Sequence, residues 1–450
     1  MTAPGYARRI GPFSGTMLVV GGIIGSGIFL NPALVAQRLG SAPLIMATWS
    51  IGALVALLGA FLFAELGAQR PAAGGGYVYL RDAFGELPAF LYGWALLLAI
   101  ATGAAAAVAV TFASYAGPLL GIADGHERWL AASAIVLLSA VNALGVRPGA
   151  WTQNCFTLLK LAAIAALVTA AFVTPEAPAV NATAPAPAAH AMHAGAWTVL
   201  VGIGTALVPV LFAYGGWQQA NFVAEEMIEP ERNLPRALIG GVVLVALVYL
   251  AANLTYLHVL GVDGLAASHA PAADVMQRLH GANGRRLIAA GIAVSTFGFL
   301  NLVILVTPRV YQAMARDGLF FARFATLHPR FRTPVAAILA QGTWATALVM
   351  SGSYGQLLDW VTFADWIFFG VTAATLHVYR GRPAVGTTRR YRAPFYPASL
   401  VLFVGACLYV VAGAVISNPG NALRGLLLLA AGVPVFHWWS RRRDAGRGVG

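Results

Sequence analysis

Charge is what this chain of 450 residues has least of: Asp, Glu, Lys and Arg make up 10% of it, against about 25% in a soluble domain. Lysine is nearly absent. Lys160 is the only one, and every other basic residue is arginine or histidine. That lysine follows Leu159, so no Gly-Lys-Ser/Thr phosphate-binding loop exists, which excludes ATP-driven pumping by this chain alone. Cysteine is scarce too. Cys155 and Cys407 fall inside apolar segments and read as buried thiols rather than disulfide partners or metal ligands; no metal or cofactor is expected. The first apolar run lacks the charged flank, short core and small-residue cleavage site of a secretory leader, so no cleaved signal is expected.

What remains is apolar. Hydrophobic residues are 59% of the chain, and runs of about 18 or more recur from end to end, which predicts an all-α polytopic protein of the lipid bilayer. Twelve spans are expected, at 13–39, 43–69, 87–115, 129–146, 151–173, 197–224, 235–260, 284–315, 334–351, 357–378, 396–416 and 421–440. The net charge of +12 does not indicate nucleic acid, because the arginines sit in short loops between spans. With the N-terminus inside, 21 basic residues face the cytoplasm and six the outside. This predicts cytoplasmic N- and C-termini and a plasma (inner) membrane location.

The expected organisation is a cytoplasmic N-terminus (1–12), five spans (13–173), an extracellular Pro/Ala loop (174–196) and five further spans (197–378). Two final spans with their cytoplasmic linker (379–440) and a basic, disordered tail (441–450) complete it. Tyr77–Phe84 reads as a short amphipathic piece between spans 2 and 3. In the loop, Asn181-Ala-Thr183 matches a glycosylation acceptor by chance at this motif length, and His190 and His193 make no convincing metal site.

Two spans are interrupted. Span 1 holds Gly21, Gly22, Gly25 and Gly27 within seven positions, and each glycine costs a helix about 1 kcal/mol against alanine. Such a break is tolerated in lipid only where its freed backbone faces protein or a wet cavity. The turn at Gly25-Ser26-Gly27 would then offer N–H groups and a positive dipole end to a carboxylate. The competing reading is close helix packing by small residues. Span 6 breaks at Phe212-Ala-Tyr-Gly-Gly-Trp217, and each broken span is the first of five. Paired interruptions at corresponding positions point to an inverted-repeat secondary transporter with its site near the midplane.

Lys160 lies mid-way along span 5, where a charge costs about 2.5–3.5 kcal/mol even on lenient scales. It is expected to stand as a fixed cation or to carry a proton, bonded to carbonyls near Gly22 and to the Ser295 hydroxyl; snorkelling to an interface is the alternative. Carbonyls freed in span 6 could accept from an ammonium group, so a ligand bridging both breaks would be an α-amino acid. Phe212 could cover it, and Gly215 leaves room without adding a carboxylate. Glu225, Glu226, Glu229 and Glu231 end span 6, as an inner gate with loop arginines or as a solvated helix end. Asp359 and Asp365 near span 10 read as structural.

The motifs Ile23-Ile-Gly-Ser-Gly-Ile-Phe29, Phe63-Ala-Glu-Leu-Gly67, Gly74-Gly-Gly-Tyr77 and Phe212 through Pro235 occur together with Ser295-Thr-Phe-Gly298. Arg309 through Gly318 and His328 through Pro334 follow them. In this set the chain resembles the amino acid–polyamine–organocation superfamily, most of all its L-type amino acid transporter branch, over Gly15 to Pro397. The resemblance implies a LeuT-like 5+5 inverted repeat with helices 1 and 6 unwound at the midplane and sodium-independent transport of neutral L-amino acids. It also implies a span 5 lysine at the former sodium position. Ile23, Ser26, Gly27, Phe212, Ala213, Gly215 and Gln218 would line the substrate site, with Gly25 at the turn. Animal members join a heavy chain through a cysteine between spans 3 and 4; Ala116–Arg128 has none, so a prokaryotic member without a disulfide-linked partner is expected. Exchange is favoured over proton symport. An intramembrane hydrolase with Ser26 as nucleophile and Lys160 as base is the rival from another class.

Overall fold

The computed structural model describes residues 5–123, 125–174, 196–352, 354–382, 391–417 and 419–447. The glycosylation motif, His190, His193 and the Asp359 side chain lie outside them. Among the described residues the chain is all-helical, without a β-strand. In order these are α1 (Pro12–Ile23), α2 (Gly27–Leu39), α3 (Ala42–Gln69), α4 (Gly76–Phe84), α5 (Glu86–Ala95), α6 (Ala101–Leu119), α7 (Glu127–Ala143) and α8 (Val146–Val173). There follow α9 (Ala196–Ala213), α10 (Pro230–Ala267), α11 (Pro271–Val306), α12 (Pro308–Arg316), α13 (Val335–Ser351), α14 (Tyr354–Gly381), α15 (Ala398–Ser417) and α16 (Pro419–Arg447). A π-helical turn, Leu96–Ile100, joins α5 to α6, and a 3-10 helix, Trp217–Glu226, follows α9.

Seven helical segments are long and apolar enough to cross a membrane, and α1 with α2 forms an eighth, bent by 42° at its break. Large apolar side chains such as Leu54, Trp151, Leu247, Leu287 and Val401 stand exposed along these helices. A soluble monomer does not present so much contiguous apolar surface; a lipid-facing one does. The chain is a multi-pass membrane protein.

Proline sets several starts. Pro12, Pro230, Pro271 and Pro308 each occupy the first turn of a helix, where the missing N–H has no helical partner to lose. Pro308 leaves a mark on the segment read as a single span, 284–315: it lies in one apolar span, Pro271–Arg316, whose helix is interrupted at Thr307 between α11 and α12. The basic tail departs too. Helix α16 runs through it to Arg447, and Arg443 reaches the Glu86 carboxylate at 2.8 and 2.9 Å, which gives the last turns a partner.

The interior is built around the first break. Helix α10 packs on α3, α1 and α2; α11 packs on α8 and α6; α9 lies along α2. A buried polar ladder ties these rods together. Asn142 donates to Asn301, Asn301 to Gln153, and Thr157 to the Met17 carbonyl, at 3.0–3.2 Å. In an apolar surrounding, polar side chains so paired fix register, because leaving either partner alone would cost the full desolvation of a buried group.

Candidate functional site

Between Ile23 and Gly27 the helix lets go, and its backbone groups must be answered elsewhere. The carbonyls are. Lys160 Nζ, wholly buried on α8, donates to Gly21 O at 3.2 Å and Ile24 O at 2.7 Å. Tyr249 on α10 donates its hydroxyl to Ile23 O at 3.0 Å, and Ser295 Oγ on α11 reaches Gly25 O at 3.4 Å. The Gly22 carbonyl abuts Gly216 of the second break, where φ is +105° and a Cβ would collide with it. Only glycine fits there.

These contacts refine the sequence expectation. Of the carbonyls near Gly22, Lys160 takes those of Gly21 and Ile24. Gly22 packs against the other break instead, where a Cβ would lie 2.8 Å from Gly216 O. Ser295 does not bond Lys160; its hydroxyl caps Gly25.

The amide side of the break is different. Ser26 precedes α2 without capping it. Among the described residues no acceptor takes the N–H groups of Ser26, Gly27 or Ile28. Three donors and a positive helix end are left open.

Ser26 and Gly27 at that end border a cavity of about 310 Å³, the size of a small-ligand pocket. Ile23, Gly25, Ser26, Gly27, Phe212, Ala213, Gly215 and Gln218, the eight candidate lining residues, all border it. The two breaks meet across it: a Cβ at Gly27 would lie 3.0 Å from the Ala213 Cβ. The phenol of Tyr249 reaches Ala213 O at 3.2 Å as well as Ile23 O, so one hydroxyl spans both breaks. Gln218 lines the wall while its Oε1 accepts from Gly216 N–H at 3.1 Å, holding the turn open. Phe212 borders the cavity and is 41% exposed.

Other walls were not foreseen. Leu96 and Ile100 come from the π-helical turn and Ala101 from the start of α6, where Thr102 Oγ1 donates back to Leu97 O at 2.7 Å; such turns are frequent at functional sites. Phe299 comes from α11, and Asp365 with Trp366 from α14. Asp365 corrects the expectation that no carboxylate lines the site. Sequence does not say which face of α14 turns inward, and this acid lies on that face.

Below the cavity the polar groups are closed. Arg309 Nε and Glu226 Oε1 lie 2.7 Å apart with neither side chain exposed, and Arg309 stands 5.7 Å from the Tyr6 ring. The backbone N–H of Ile10 donates to Glu226 O at 3.0 Å, and Ile228 N–H returns to Ile10 O at 2.9 Å, so the N-terminal segment is latched across the end of the 3-10 helix. Glu225 faces Arg316 at 3.8 Å. The acidic end of span 6 therefore pairs with arginines of α12, not of a loop. Nearby, burial and the Asp317 carboxylate hold the Tyr77 phenol well above its usual range, and it donates to Asp317 at 2.7 Å.

A multi-pass helical membrane protein whose two interrupted helices enclose a small internal cavity, with unanswered amides at the helix end beside it, belongs to the class of membrane carriers. The chain belongs to the amino acid permease family, which matches residues 10–436. It is 30% identical over 443 residues to the serine/threonine exchanger SteT of Bacillus subtilis, covering 98% of each chain. It is 33% identical to the b(0,+)-type amino acid transporter 1 of Oryctolagus cuniculus, over 83% of this chain and 76% of that one. Against the human large neutral amino acids transporter small subunit 2 it is 32% identical, over 95% and 80%. The family and these relatives are transporters, so the hydrolase reading falls. Geometry agrees, since the amine proposed as base is bonded to Gly21 and Ile24 carbonyls.

Proposed function

We propose that the protein is a sodium-independent secondary transporter of L-amino acids, neutral ones foremost, and that it works as an exchanger by alternating access. One observation carries this reading: a cavity between two helix breaks, bordered by Ser26 and Gly27 at the helix end whose first N–H groups are unanswered. A substrate carboxylate suits that helix end, and its α-ammonium suits carbonyls around Phe212–Gly215. Phe212 covers the bound molecule, and Gly215 leaves its side chain room.

Sodium independence is supported by Lys160, whose ammonium already holds the Gly21 and Ile24 carbonyls. Those are the oxygen ligands a hard cation would need. A cation that stays in place couples no gradient, so the carrier returns only when loaded, which is exchange. The proposed architecture is twelve spans in a LeuT-like 5+5 inverted repeat, 13–173 and 197–378, with the two breaks at corresponding positions near the midplane. Both termini are proposed to be cytoplasmic, from the 21-to-six bias of basic residues. One relative is by name a small subunit, but the Ala116–Arg128 stretch has no cysteine, so no disulfide-linked heavy chain is proposed.

Proteoliposome counterflow tests the function. Labelled amino acid should enter sodium-free vesicles only when they are preloaded with unlabelled amino acid, with no pH gradient imposed. Uptake into empty vesicles driven by a proton gradient would replace exchange with symport.

A further inference from the structure

The cavity carries one group that the two-break clasp does not use. Asp365 borders it from α14, and among the described residues its carboxylate makes no hydrogen bond and no ion pair. Much of the lining of that cavity is apolar, Leu30, Val108, Phe299, Val303 and Phe369 among it. A carboxylate placed so is costly unless a cation or donor answers it. Elsewhere in this protein the buried acids are answered. Glu226 has Arg309; Glu65 has Arg380 and the Ala393 N–H at 2.7 Å. Lys160 does not answer Asp365, being committed to Gly21 and Ile24.

A second acceptor lies on the same wall. Gln219 Oε1 is buried without a hydrogen-bond partner. Two unanswered oxygens at one cavity describe a place for a group that brings donors and positive charge.

We propose that Asp365, with Gln219, forms the side-chain end of the substrate site and extends the substrate range to amino acids bearing a second, side-chain cation, an ammonium or guanidinium. The proposal rests on the transport reading above. The α-carboxylate and α-ammonium occupy the two helix breaks, and the side-chain cation pairs with Asp365 and donates to Gln219. Neutral side chains leave the carboxylate to water or to a proton.

The test is competition. Counterflow of labelled L-leucine is measured in proteoliposomes against unlabelled L-leucine, L-lysine, L-ornithine and L-arginine, for the native protein, Asp365→Asn and Gln219→Leu. In the native protein the cationic amino acids should compete. Asp365→Asn should raise their half-inhibitory concentrations at least about tenfold relative to that of L-leucine in the same variant, about 1.4 kcal/mol of discrimination. Gln219→Leu should weaken the cationic set by a few-fold and guards against a folding defect in the first variant. Leucine exchange without cationic competition would overturn the inference and leave the function standing. Equal loss for all substrates in Asp365→Asn would mean the acid holds the shared α-ammonium, and the inference fails. An unchanged panel with a lost response to a pH gradient would make Asp365 a proton carrier instead. No exchange of any amino acid by the native protein would remove both readings together.

Discussion

Glu226 and Asp365 both carry a carboxyl inside the helical bundle, and their surroundings are opposite. Glu226 is sealed. Its side chain is fully buried, Arg309 grips it, the Tyr6 ring lies against that arginine, and its backbone carbonyl receives the N-terminal segment. Asp365 stands at a cavity wall, and among the described residues no hydrogen bond or ion pair answers its carboxylate. The difference separates two uses of buried charge: a closed pair spends its electrostatics on holding segments together, whereas an open one keeps them for a guest. Lys160 sits between these cases, fully buried yet answered by backbone oxygens that exist only because a helix is broken.

The comparison can be broken most forcefully at the sealed pair. Arg309→Ala leaves Glu226 buried and alone, and removing one partner of such a pair costs about 3–5 kcal/mol. Little folded protein is expected, read as monodisperse yield and melting temperature in detergent. Asp365→Asn should barely move the same readout; a large drop there would make Asp365 structural and erase the contrast. Next comes Lys160→Met, which strips the donor from two buried carbonyls at about 1–3 kcal/mol each. Exchange should fall by more than about tenfold, with a lower melting temperature, because the first break loses its brace. Full exchange by that variant would contradict the role given to the lysine. The smallest effect is expected of Ser26→Ala. The open amides survive it, so leucine counterflow should drop only a few-fold; complete loss would put the binding chemistry on the hydroxyl.

Much of the site was legible because its signals are local. Four glycines in seven positions mark the first break, Phe212 through Trp217 the second, and a lone mid-span lysine marks the group that braces the first. What escaped depends on helix rotation and on contacts between distant parts of the chain. Tyr249, 226 residues from Ile23, looks like any core aromatic until its hydroxyl is seen on both breaks. Asp365 was read as structural because hydropathy marks a span without telling which way each side chain faces. The choice of the Gly21 and Ile24 carbonyls, on either side of Gly22, has the same origin. The sequence says where the helix fails, while packing decides which carbonyls turn toward the amine and which toward Gly216.

The most direct test is a structure of the purified protein with L-leucine bound. The substrate carboxylate should lie within hydrogen-bond distance of the Ser26, Gly27 and Ile28 amides and its ammonium at the Phe212–Gly215 carbonyls, with Lys160 still on Gly21 and Ile24. A substrate bound away from both breaks, or a sodium ion in place of the lysine contact, would contradict the account.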